Sequence, residues 1–225
     1  MRPGSGHRIV FLLLVALIGG SASIAVDSQV TTDGLIARNP GPAAGKFLVA
    51  RREMRDPNFA KTVVLLLSYG SDGALGLVIN RPSHVKVSTL SSEIEGLATR
   101  TDSIFVGGPV PAESLFVLFT ADEPPEESDR VFERVHVTRS ADVLSRLVTS
   151  DEPTEFRVIA GYAGWGPGQL DNEIARGDWY VVEPDEGSLF TSAPGEVWES
   201  LVPPEPTRQV RFRVPRHGMS PVPSI

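Results

Sequence analysis

The chain has 225 residues, 41% of them hydrophobic, a formal charge of −7 and no cysteine. That length and apolar content fit one domain of about 150 to 200 residues with extensions, and the lack of thiols excludes disulfides, cysteine nucleophiles and lipidated cysteines. The charge is unevenly placed: residues 203–225 carry +3 and residues 1–25 carry +2, leaving −12 on the body, which disfavours nucleic acid as a partner.

The first segment reads MRPGSGHRIVFLLLVALIGGSASIAVDSQ, with Arg2 and Arg8 ahead of an apolar run from Ile9 to Ile18 and small Ser23 and Ala25 before Val26. This is the pattern of a signal peptide cleaved after Ala25, which implies a secreted or periplasmic protein with no stable membrane span in the mature chain. Two alternatives stay open. Residues 9–26 could serve as an uncleaved anchor, although Gly19, Gly20, Ser21 and Ser23 dilute a span that needs ~20 apolar residues. Translation could instead start downstream, at Val26 or Leu35, giving a cytoplasmic protein.

Residues 26–44 read as a polar linker, and the domain proper as residues 45–202. KFLVA (46–50) is its first strand. TVVLLLSY (62–69) and ALGLVIN (74–80), joined by GSDG, predict an antiparallel hairpin. The same grammar predicts two more: SIFVGGPV with SLFVLFT around PAE, and WYVVE with SLFTS around PDEG. VFERVHVTR (131–139) and EFRVIAGY (155–162) read as single strands with alternate apolar positions. Helices are expected over 88–98, over 140–150 with Ser140 as N-cap, over 167–176 and over 194–201, Pro167 and Pro194 suiting first turns. The acids of DEPPEESD (122–129) lack the spacing of a cation loop and read as a solvated turn. Residues 203–225 read as a disordered, basic, proline-rich tail. The fold class is therefore α+β with a mostly antiparallel sheet.

The ordered blocks GKFLVARREMRDPNF, TVVLLL, GALGLVINRP, VGGPV and GYAGWGPGQLDNEIARGDW resemble the AlgH/YqgE family of bacterial proteins, from about Gly45 to Leu201. The resemblance implies an α+β domain whose sheet rolls into a partial barrel flanked by helices. It implies no settled activity. Some members carry a transcriptional-regulator label tied to exopolysaccharide production, yet the fold has no recognised DNA-binding element. The family is usually cytoplasmic, so the leader and the arginine-bearing tail are departures from it, as are Arg51 and Arg52 where a proline often follows the strand.

GWGPG follows a strand and opens a helix, as a dinucleotide-binding loop does, but Gln169 stands at the third glycine position and the neighbouring hairpins oppose a parallel sheet. A structural corner explains it better, with Leu170 and Ile174 facing the core and Gly177 ending the helix in the left-handed conformation. Its glycines should then matter more to stability than solvent-facing Gln169 or Glu173. SHVK (83–86) matches S-x-x-K without the companion elements of penicillin-binding enzymes. His7, His84, His136 and His217 are scattered and no metal-ligand spacing exists, so no catalytic residue, metal or cofactor is expected. The best-placed candidate is NRP, where Pro82 holds Arg81 extended and Asn80 and Arg81 could receive a carboxylate or phosphate. Its structural counterpart is an ion pair from Arg81 to Glu173 or Asp178. The candidate ligand site is thus Asn80, Arg81, Gly164, Trp165, Gln169 and Glu173, in a non-enzymatic protein that binds a protein partner or a small anion; the alternative is an enzyme acting on a phosphate- or carboxylate-bearing molecule through Asn80, Arg81 and the 164–173 loop. Trp165, Trp179 and Trp198 read as core aromatics.

Overall fold

Apolar runs without polar alternation belong in strands covered on both faces. The computed structural model of the protein describes residues 41–90, 96–111, 115–150 and 154–204, and there these runs build two sheets. In chain order the strands are β1 (Phe47–Ala50), β2 (Val63–Gly70), β3 (Gly73–Val78), β4 (Pro82–Lys86), β5 (Ser103–Val106), β6 (Phe116–Thr120), β7 (Ser128–Phe132), β8 (Val135–Thr138), β9 (Phe156–Ala160), β10 (Ala163–Trp165) and β11 (Trp179–Val182). The helices are α1 (Ala141–Thr149), α2 (Gln169–Arg176), α3 (Glu186–Phe190) and α4 (Val197–Leu201).

One sheet runs β10-β3-β2-β1-β11 and the other β4-β5-β9-β6-β8-β7. All pairings are antiparallel except β5 with β9. The architecture is α+β, and neither sheet closes into a barrel, consistent with the partial barrel expected. Alternation divides β5, β6 and β9 between two cores. Phe105, Phe116, Leu118 and Ile159 face the main core with β1, β2 and β3, while Ile104, Val117 and Val158 pack with Leu144 of α1.

The five-stranded sheet is rolled. Its edge strands β10 and β11 would stand ~19 Å apart across four flat strand spacings, yet they carry Trp165 and Trp179, whose ring centroids are 6.1 Å apart. The segment between them, with α2, therefore runs from one edge of the sheet to the other.

The hairpin of β2 and β3 forms as expected, turning at Ser71 and Asp72. The other two expected hairpins do not. β9 lies between β5 and β6 because Gly107 and Gly108 let the chain cross directly over Gly161 and Tyr162: a Cβ on Gly108 would stand 2.2 Å from the Tyr162 carbonyl carbon. After β11, Asp185 accepts from the Ser188 amide at 2.7 Å and starts α3 where a returning strand was expected. Residues 131–139 are the end of one strand and the whole of another, because Glu133 turns with φ 41°. The helix expected over 88–98 is, in its described parts, two short 3-10 turns at Val87–Thr89 and Leu97–Thr99. Ser140 does cap α1, its Oγ accepting from the Val143 amide at 3.3 Å. α2 begins at Gln169, after Gly168, so Pro167 precedes the helix instead of opening it. The readings of the leader and of residues 205–225 lie outside the described residues.

Candidate functional site

The NRP stretch leaves β3 beside the segment that joins β1 to β2. Asn80 is buried and works as a clip: its Oδ1 accepts from the Val63 amide at 2.9 Å and its Nδ2 donates to the Lys61 carbonyl at 3.0 Å. Arg81 donates to the carbonyls of Asn58 at 2.6 Å, Pro57 at 3.2 Å and Ala60 at 3.1 Å. Partial burial lowers its pKa from the ordinary arginine value, with Asp56 acting the other way. The guanidinium thus fixes the 57–60 turn, and its partners are backbone carbonyls where Glu173 or Asp178 was expected.

That turn presents Phe59, which stacks on Trp165 at 5.9 Å and meets Trp179 edge-on at 5.4 Å. Both indole N–H groups donate to one oxygen, Oε2 of Glu173, each at 2.9 Å. The other oxygen accepts from Gln169 Nε2 at 3.0 Å, and Gln169 Oε1 accepts in turn from the Gly166 amide at 3.2 Å. Glu173 is therefore the keystone of the rolled sheet: from α2 it ties together the tryptophans of the two edge strands. Gly164 continues β10 opposite Leu75. Gly177 ends α2 with φ 83°, its amide reaching the Ile174 carbonyl while the Asp178 amide reaches that of Glu173, both at 2.9 Å. The segment is a corner, as the glycines suggested, but Glu173 is half-buried within it and does not simply face solvent.

All six candidate residues fall in this one corner of the fold. A model of the AlgH-like family matches residues 47–204, from β1 through α4. The chain belongs to the AlgH-like family. It is 36% identical over 162 residues to a UPF0301 protein of Methylococcus capsulatus, covering 71% of this chain and 89% of that one. A UPF0301 protein of Streptomyces coelicolor is 36% identical over 168 residues, covering 70% and 84%. Among solved structures, the AlgH protein of Pseudomonas aeruginosa superimposes with TM-score 0.59 at 30% identity, over 72% of this chain and 88% of that one. A protein from Corynebacterium diphtheriae does so with TM-score 0.62 at 26% identity, over 72% and 86%.

Elsewhere in this AlgH-like domain the other sequence candidates separate. Ser83 and Lys86 lie in edge strand β4 and bond to different groups: Ser83 Oγ accepts from the Val85 amide and Lys86 donates to Ser103 Oγ, both at 3.1 Å. His136 is fully buried against Phe119, and burial lowers its pKa below the ordinary histidine value. Among the described residues no group of three or more His, Cys, Asp or Glu could hold a metal ion.

Sequence reasoning missed Arg157. It occupies an inward position of β9 and is 7% exposed, with its guanidinium 4.1 Å over the Phe105 ring. It donates to the carbonyls of Ile79 at 2.8 Å and Thr191 at 2.9 Å, and burial lowers its pKa to about 10. The signal was a single charge at an inward register position of an otherwise apolar strand.

Proposed function

We propose that the protein is a non-enzymatic binding protein whose partner-facing surface is formed by residues 51–61 and 164–169. Asn80, Arg81, Gly164, Trp165, Gln169 and Glu173 act as the frame that holds this surface. The observation that carries the reading is the hydrogen-bonded chain from Arg81 through the 57–60 turn, and from the tryptophans to Glu173 and Gln169. Its polar groups are engaged with the protein, so they stiffen two exposed segments and present no nucleophile paired with a base. Stiff, pre-formed surfaces lose little entropy on association. Arg52, Glu53, Arg55, Asp56 and Lys61 are exposed on the first segment and Gly166, Pro167 and Gly168 on the second, a polar surface of mixed charge. An enzyme acting on a phosphate or carboxylate through Asn80 and Arg81 is the weaker reading, because the hydrogen bonds of both already go to backbone groups.

The leader supports export, with the mature chain starting at Val26 and acting outside the cytoplasm. Among the described residues no helix is long and apolar enough to cross a membrane. In the native host, N-terminal sequencing of the extracytoplasmic fraction should read from Val26; an intact Met1 there supports the anchor, and a cytoplasmic chain starting near Leu35 removes the export reading.

A photo-reactive side chain placed at position 55 or 167 tests the surface directly, with position 129 on β7 of the other sheet as the control. One adduct of defined mass from 55 and 167, absent from 129, is expected, with the adduct from 167 lost on Arg52→Glu. Equal labelling from all three positions would remove the surface from consideration.

A further inference from the structure

Arg157 does not fit the role of a simple strut. A neutral donor could bridge the Ile79 and Thr191 carbonyls without the desolvation that a buried charge suffers. Among the described residues no carboxylate lies within ion-pair distance of it: Asp102, which is nearby, is taken by Arg100 at 2.7 Å, and Glu155 is exposed and acts on Arg157 only through the field. A guanidinium carries five N–H donors, and two of these are engaged. The Nε of Arg51 is buried without a partner, whereas the Nε of Arg157 is not sealed in this way, and Arg157 lines a cleft of about 560 Å³.

The lining of that cleft is two-sided. Ser103, Thr191 and Ser192 bring hydroxyls to the lining, those of Ser103 and Thr191 already accepting from Lys86 and from the Ala193 amide, while Phe105, Phe190 and Val158 provide apolar wall. Sites of this volume with a few polar groups in apolar walls are typical of small-molecule binding. The guanidinium lies over Phe105 and, with two N–H groups on carbonyls, keeps three in-plane N–H groups for an acceptor such as a carboxylate. The charge count chooses between anions. Among the described lining residues Arg157 is the one cation without an ion pair, and Asp102 and Glu155 offset the charges of Arg100 and Arg157, so a dianion would meet more repulsion in the cleft than a monoanion.

We propose that this cleft is a binding site for a monocarboxylate with an apolar body, held by the edge of Arg157 and the hydroxyls of Ser103 and Ser192, with its body on Phe105 and Phe190. The site is separate from the 51–61 and 164–169 surface and shares none of its residues.

Amide NMR spectra of the whole chain, titrated with benzoate, benzamide and inorganic phosphate, test it. Benzoate should shift the amides of Ser103, Thr191 and Ser192 saturably, with a dissociation constant of about 1 mM or below, and bind about tenfold more tightly than benzamide or phosphate. Arg157→Lys, which keeps the charge and loses the fork, should weaken benzoate about tenfold. Ser192→Trp, at an exposed wall position that leaves the bonds of Arg157 in place, should abolish binding while leaving the spectrum folded. Non-saturating shifts, phosphate binding as tight as benzoate, or unchanged benzoate affinity in Ser192→Trp would each overturn the proposal, the last even if Arg157→Lys failed to fold.

Discussion

Glu173 and Arg157 are both charged groups set against aromatic rings, and they differ in how completely the protein answers them. Each oxygen of Glu173 has a named donor, two indoles on one and an amide on the other. Arg157 has two carbonyls and a ring face for five donors and a full charge, beside an open cleft. A charge whose hydrogen-bonding capacity is met within the fold makes a frame, because moving it breaks several bonds at once. A buried charge met only in part leaves capacity for something from outside.

The largest stability effect should come from Glu173→Ala. It leaves the N–H groups of Trp165 and Trp179, which are 5% and 1% exposed, without their acceptor. At about 1 to 3 kcal/mol for each unsatisfied buried donor, partly relieved by water, a loss of about 2–4 kcal/mol in denaturant unfolding is expected. Glu173→Gln keeps an acceptor oxygen and should recover more than half of that loss. If Glu173→Gln is as damaging as Glu173→Ala, the charge itself and not its capacity as an acceptor holds the frame.

Next in size is Gly177→Val. The space is available, since a Cβ there would meet nothing nearer than the Arg51 guanidinium at 3.6 Å, so the cost is that of a β-branched residue at φ 83°. About 1–3 kcal/mol is expected from the denaturant midpoint. The order of these two variants matters. Read from sequence, the glycine outranks the polar groups of the corner; the structure puts Glu173 first because its carboxylate turns inward.

That reversal shows what the sequence could and could not convey. Local features with local causes were legible: the β2–β3 hairpin from its turn residues, Ser140 as a cap, Gly177 as a left-handed helix stop. Features set by distant chain were not. The parallel pairing of β5 with β9 depends on Gly107 and Gly108 meeting Gly161 and Tyr162, which no window around VGGPV reveals. The candidate site was legible as a set of residues, yet its bonding was not, because Glu173 finds its indole partners on opposite edges of a rolled sheet. Arg157 stood in a correctly read strand, but its cleft depends on the 190–194 segment more than thirty residues later.

His136 extends the comparison to a buried group that stays neutral. Its Nδ1 lies 2.8 Å from the Arg134 carbonyl, which makes Nδ1 the protonated nitrogen, and its Nε2 is buried without a partner. Burial lowers its pKa below the ordinary 6.5; the bond to Arg134 opposes this, and Arg130, its register partner on β7, adds to it. Between pH 6.5 and that lower folded value the unfolded chain binds more protons, so stability falls as pH falls through this window and is unaffected by this group above it. From pH 7.5 to 5.5 the loss should be at most about 1.4 kcal/mol. His136→Leu should flatten the difference in unfolding free energy between the two pH values; an unchanged slope would assign the pH dependence to other groups.

The smallest effect is expected at Gln169, and it separates the keystone from the loop it supports. Gln169 is exposed, and both its bonds, to Gly166 at 3.2 Å and to Glu173 Oε1 at 3.0 Å, are open to replacement by water. Removing it leaves the two indole bonds on Glu173 Oε2 in place. Gln169→Ala should therefore stay within about 0.5 kcal/mol of the parent, near the low end for a single exposed hydrogen bond. Its tryptophan emission should match the parent, whereas Glu173→Ala should shift emission to the red as Trp165 and Trp179 gain water. Should Gln169→Ala reproduce that red shift, the carboxylate would depend on its exposed neighbour for its orientation, and the frame would have to be redrawn with the 166–169 loop as part of it.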